Sequence, residues 1–146
     1  MYINQRLINQ NLSRQFNRRP KVAKAKTEEI KWLSDAEDHD YPAAQSYLSL
    51  LYNEKDAAAV VAKLKSARIV QFKAKDIFRA SNLSLLGVSN SHIDKDRKKI
   101  QEGIKLSPLL LVRDEKNGKV VIADGYHRLC AIYGFDEDAW IPCKIV

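Results

Sequence analysis

The 146-residue chain contains two cysteines and three histidines, and neither set falls into a metal-ligand spacing. Cys130 and Cys143 are far apart, so a reduced, buried pair is expected rather than a disulfide or a zinc site. His39, His92 and His127 form no ligand pattern either. No apolar run approaches the roughly 20 residues that a membrane-spanning helix needs. Met1 to Gln10 also lacks the apolar core of a signal peptide. A cytoplasmic protein with no membrane partner is the expectation.

Acidic residues are missing altogether from residues 1–26, which carry Arg6, Arg14, Arg18, Arg19, Lys21, Lys24 and Lys26. The whole net charge of +7 therefore sits in this stretch, and the remaining bases balance the 18 acids. It is rich in Asn and Gln and poor in hydrophobic periodicity, as expected of a tail that is disordered when free. Two roles stand for it: binding nucleic acid by neutralising phosphates, or merely solubilising the chain. The high pI of about 9.4 says nothing about the folded part.

What is present suits one domain with an appendage: 45% hydrophobic residues can supply a core, and 29% charged residues is ordinary. Residues 27–67 read as a helical extension packed on the main domain. Thr27 with Glu28 and Glu29 starts a short helix. Pro42 fits the first turn of a second, with Ala43, Ala44, Tyr47, Leu48, Leu50 and Leu51 on a broad apolar face. Lys55 to Ala67 is a third, with Ala57, Val60, Val61 and Leu64 at helical spacing. The cluster Asp35, Glu37, Asp38, His39 and Asp40 invites a metal reading, but a solvated acidic turn is favoured.

From Arg68 the period changes, and residues 68–146 read as a small α+β domain. Ile69–Phe72 is a short strand and Asp76–Arg79 one helical turn. Ser81 to Ser91 is a loop, and Asp94 caps a helix through Ile100 to Ile104, its outer face rich in Lys and Arg. Leu109–Val112 and Val120–Ala123 have strand length, and Asn117-Gly118 between them is a hairpin signal. Tyr126–Tyr133 is a helix and Ile141–Val146 a last strand. Trp32 and Trp140 read as packing residues.

The segment Asp124-Gly125-Tyr126-His127-Arg128 carries the chemistry. A strand that breaks at Asp-Gly and enters a helix puts backbone N–H groups at the helix start, where the dipole favours an anion. Gly125 permits the tight turn and a close approach by a ligand. His127 and Arg128 add donors, the planar guanidinium matching phosphate oxygens. Asp124 at the N-cap would compete for the same N–H groups. A Mg²⁺ ion held by Asp124 and the phosphates would relieve that conflict, or Asp124 serves as a base toward a hydroxyl. The bland alternative makes Asp124 a cap, His127 a surface residue and Arg128 a partner for some acid.

In these residues the span Ile69–Val146 resembles the ParB/sulfiredoxin superfamily, also described as ParB-like nuclease domains. The ordered features are a strand and short turn ending at Arg79, a helix at Asp94–Ile104 and Pro108-Leu109-Leu110-Leu111-Val112. Val121 to Ala131 follows, running through the pentapeptide, and Ile141-Pro142-Cys143-Lys144-Ile145-Val146 closes the set. About half the chain is covered, and only the pentapeptide is highly specific. The resemblance implies a ParB/sulfiredoxin-like small mixed sheet with helices, preceded by the helical extension. It also implies that Gly125, Tyr126, His127 and Arg128 grip the phosphates of a nucleoside di- or triphosphate, with Mg²⁺ as helper. Arg79, Ser91 and His92 would reach the same ligand, and Asp124 and His127 are the candidate catalytic residues.

Sulfiredoxins carry Gly-Gly-Cys-His-Arg at this turn; Tyr126 replaces the nucleophile here, which argues against that activity. ParB partition proteins carry Gly-Glu-Arg-Arg, bind CTP with magnesium and read DNA through a helix-turn-helix domain that follows. No such reader lies within Arg68–Val146. Free serine kinases carry Asp-Gly-His-His-Arg, the nearest pattern, with a catalytic acid near the first strand. The matching stretch Lys75–Ala80 offers Asp76 without a clear equivalent of that acid. Three functions follow as expectations: an ATP/ADP-dependent kinase or nucleotide hydrolase, a DNA-associated module, or a protein-interaction module without chemistry. Tyr126 either stacks on a base or packs at the helix start.

Overall fold

The protein, represented by a computed structural model, is described here for residues 29–85 and 91–146. The basic tail, Thr27, Glu28 and Asn90 lie outside the described residues. The fold is α+β. Its helices are α1 (Asp40–Leu48), α2 (Glu54–Ser66), α3 (Ala74–Ser81), α4 (Ser91–Gln101) and α5 (Tyr126–Phe135). The strands are β1 (Ile69–Lys73), β2 (Leu109–Asp114), β3 (Lys119–Asp124) and β4 (Trp140–Ile145). They form one mixed sheet in the order β1-β4-β2-β3. The outer pairs are antiparallel, and β2 and β4 run parallel at the centre.

Strand β2 shows why the sequence takes this shape. Its four aliphatic residues are all buried because helices cover both faces of the sheet. Leu109 and Leu111 join α3, α4 and α5 in one core, together with Ile122, Ile141 and Cys143. Leu110 and Val112 point the other way and join α1 and α2 with Val121 and Ala123. A 3₁₀ turn over Glu115–Asn117, closed by Gly118 at φ 62°, connects β2 to β3. The hairpin expected at Asn117-Gly118 is thus present. The register of β2 and β3 shifts between Leu110 and Leu111, opposite the end of β3. Such an irregularity bends a strand and re-aims its end.

Several expectations are corrected. No helix is present over residues 29–33: Trp32 bridges Leu106, and the Leu33 N–H donates to the Leu106 carbonyl at 2.8 Å. That pairing satisfies the backbone where the acids at Glu28 and Glu29 had suggested a helix start. Helix α1 ends at Leu48, so Leu50 and Leu51 leave the buried face, Leu50 being 82% exposed. Helix α4 stops at Gln101, short of Ile104, because Gly103 at φ 69° turns the chain. Asp94 lies within its first turn and is not its cap. Trp140 is more than half exposed beneath the Lys73 ammonium. Both cysteines are buried, outside any disulfide, and burial pushes the Cys143 thiol up to about 12.

The α1/α2 face also buries charge. Lys144 of β4 is 2% exposed, and its Nζ donates to the Tyr41 hydroxyl at 2.9 Å and the Lys65 carbonyl at 3.0 Å. It also pairs with Asp35 at 2.8 Å. Asp40, expected in a solvated turn, is likewise 2% exposed. Its carboxylate accepts from the Ser107 hydroxyl and from the Glu37 N–H at 3.1 Å. These bonds tie the segment before α1 to the sheet and to the residue before Pro108.

Candidate functional site

The turn from β3 into α5 is built around Gly125. Its φ of 108° lies in a region that L side chains rarely adopt, and an added Cβ would sit 2.8 Å from Leu109 Cγ and 2.9 Å from Arg128 Nη2. Gly125 is itself the N-cap of α5 and supplies no side-chain cap. The expectation of Asp124 as the cap is therefore corrected: Asp124 is the last residue of β3, and its carboxylate turns to Arg128 instead. The first intrahelical bond runs from the Leu129 N–H to the Gly125 carbonyl, leaving the N–H groups of 126–128 without an acceptor inside the helix.

Arg128 has a structural task here. Its Nη2 donates to Asp124 Oδ2 at 3.1 Å and to the Pro108 carbonyl at 3.3 Å, strapping the turn to the start of β2. Its Nε is buried without a protein partner. The acid-partner reading of Arg128 thus has its counterpart in Asp124.

A cleft of about 220 Å³ opens before this turn, lined by Asp124 to Arg128 and, from α4, by His92, Lys95, Asp96 and Lys99. The His92 and His127 rings lie 4.9 Å apart. Burial lowers the His127 pKa and His92 lowers it further, against the pull of Asp96. Burial raises Asp96, offset by Arg128, Lys99 and the two histidines. The Tyr126 hydroxyl donates to the Ser84 carbonyl, which anchors its ring.

Six of the residues expected from the sequence therefore meet: Asp124, Gly125, Tyr126, His127, Arg128 and His92. Arg79 and Ser91 do not line the cleft; both are exposed, Arg79 on α3 and Ser91 at the start of α4. Asp76 lies in a separate apolar hollow with Phe72 and Arg113. Lys95, Asp96 and Lys99 were missed, although with His92 they fall three, four and seven residues apart, one face of a helix.

Asp124 is perturbed by burial and by two charged neighbours. Burial raises its pKa, Arg128 opposes that, and the Asp40 carboxylate raises it again by repulsion and a side-chain hydrogen bond. Two carboxylates thus lie close together here, with the Arg128 guanidinium on Asp124. The chemistry fits a divalent cation, which would offset the surplus negative charge, although Arg128 already holds Asp124 Oδ2. Glu37, His39 and Asp40 bring ligand atoms within 4.8 Å of one another nearby. They already pair internally, His39 with Glu37 at 3.1 Å and with Asp40 at 3.4 Å.

No helix among the described residues is long and apolar enough to cross a membrane. Compared with known proteins, the chain matches no family model, no curated protein and no solved structure.

Proposed function

We propose that this is a ParB/sulfiredoxin-like domain that binds the phosphates of a nucleoside di- or triphosphate at the Asp124–Arg128 turn. The observation that carries the reading is the α5 N-terminus, capped only by Gly125, opening into a cleft with Lys95 and Lys99 on its far wall. Helix N–H groups and lysines opposite one another form an anion site without needing Arg128 to leave Asp124. Magnesium, held by Asp124 with Asp40 beside it, would neutralise phosphate charge. Where magnesium does not occupy Asp124, that carboxylate and His127 are the groups for proton transfer. In a phosphotransfer, an acceptor hydroxyl would give its proton to Asp124 while its oxygen displaces the nucleotide from the terminal phosphorus. A carboxylate with a raised pKa suits that role better than an ordinary one.

The test is thermal unfolding with nucleoside di- and triphosphates and inorganic tripolyphosphate, each with and without magnesium. A ligand of the native state at 100 times its Kd adds about 2.7 kcal/mol. The double substitution Lys95→Ala/Lys99→Ala leaves the core intact and should weaken binding by about 1–3 kcal/mol. If no polyphosphate raises the Tm, the phosphate site is wrong, and the protein-interaction module takes its place.

A further inference from the structure

Away from the cleft, a hollow of about 380 Å³ lies where residues 29–32, the end of α5 and the start of β4 meet. Trp32, Phe135 and Trp140 line it together with the acids Glu29 and Asp136, and no basic residue does. It shares no residue with the phosphate cleft. Both tryptophans of the chain are gathered here, and Trp140 is 56% exposed.

We propose that this hollow is a docking site for a basic peptide segment of a partner protein, and that it takes a lysine or arginine side chain against the aromatic rings. Aromatic faces attract cations through the ring quadrupole, and tryptophan does so most strongly. Two rings of the hollow already show this. The Lys73 ammonium lies 5.3 Å from the Trp140 centroid, and the Arg97 guanidinium 5.4 Å from that of Phe135. Neither base lines the hollow, so the ring surfaces that border it are left to another cation. The charge of Lys73 is itself met by Asp138 at 3.9 Å.

The carboxylates supply the complementary charge. Glu29 and Asp136 are both exposed, and neither has a basic partner among the described residues. Asp136 Oδ1 accepts from the Asp138 N–H at 2.9 Å, which holds that carboxylate in place. Rings and acids together suit an amphipathic cation better than a metal ion. The aliphatic stem of lysine or arginine packs on apolar surface, here also Ile30 and Ala139, while its head meets a carboxylate. The two acids stand on different elements, one before Trp32 and one at the end of α5, and exposed Glu137 follows the second. A single small cation leaves one carboxylate unmatched, whereas a segment with successive basic residues meets both.

The experiment titrates the full chain with hexalysine, with hexaglutamate and tetramethylammonium as controls. Anisotropy of labelled hexalysine gives the affinity. Intrinsic fluorescence gives the place, because both tryptophans line this hollow. Hexalysine should bind with a saturable change in the tryptophan signal, and hexaglutamate should leave it unchanged. Glu29→Gln/Asp136→Asn removes both charges and should weaken hexalysine about fivefold. Trp140→Ala should also cost about fivefold, and Trp140→Phe less, since a ring face remains. Binding that neither Trp140→Ala nor the double substitution weakens overturns the proposal. Tetramethylammonium binding as tightly as hexalysine overturns the peptide as occupant. Absence of hexalysine binding overturns the partner, and a wild-type tryptophan signal that then shifts with salt alone gives the hollow to the chain's own basic residues 1–26.

Discussion

The two faces of the sheet use charge in opposite ways. On the α3–α5 face the interior is apolar, and the exposed lysines Lys95 and Lys99 stand at its rim beside the cleft. On the α1/α2 face, Lys144 and Asp40 are themselves buried, each held by hydrogen bonds to other elements. Charge at a rim remains hydrated and available to a ligand. Charge placed inside has lost its water and must keep its protein partners, so it fixes geometry instead. The site sits where the two regimes meet, because Asp124 faces Arg128 on one side and Asp40 on the other.

The sharpest way to break this contrast is at the turn itself. Gly125→Ala forces a side chain into a positive-φ position and against Leu109 and Arg128. Strain and overpacking together should cost about 2–5 kcal/mol in urea unfolding. An unchanged midpoint would show that the turn relaxes freely and that the strap from Arg128 holds nothing.

A smaller effect is expected inside the α1/α2 face. Lys144→Met keeps the aliphatic stem but leaves the Tyr41 hydroxyl and Lys65 carbonyl without their donor, costing about 1–3 kcal/mol. Asp35→Asn should cost only about 0–1 kcal/mol, since Asp35 is 61% exposed and solvent screens its pair with Lys144. Equal losses from the two substitutions would mean that the ion pair, and not the buried hydrogen bonds, anchors the face.

The smallest effect is a pH dependence. The pKa of Asp124 is raised in the folded protein from its ordinary 3.8, so between these values the folded state binds more protons than the unfolded state. Stability then falls as pH rises through that window, and the penalty is complete above it. Asp124→Asn has no such penalty and can still accept from Arg128. The Tm of the variant should therefore gain on wild type as pH rises above 3.8, reaching a constant advantage once the folded Asp124 is fully ionised. A difference that does not vary from pH 3 to pH 8 would mean that Asp124 ionises in the fold without cost. His127, whose pKa is lowered, works in the opposite direction: its contribution is lost as pH falls from the ordinary histidine value toward the lowered one.

Short-range patterns determined much of this protein from sequence alone. The β2–β3 hairpin, helix α2, the Asp-Gly break and helix α5 were legible because each depends on residues within a few positions of one another. Apolar run length set β2, turn chemistry set Asn117-Gly118, and helical spacing set Ala57, Val61 and Leu64 as the buried side of α2. Tertiary structure alone decided the rest. Lys144 meets Tyr41 across 103 positions and Ser107 meets Asp40 across 67, so no local pattern announces that either charge will be buried. The same holds for Lys95 and Lys99, whose helical face was readable but whose target, the turn at Gly125, is chosen by the packing of α4 against α5. Local steric preference acts on neighbours, whereas burial and charge pairing act on whatever the folded chain brings close, and the candidate site depends on both.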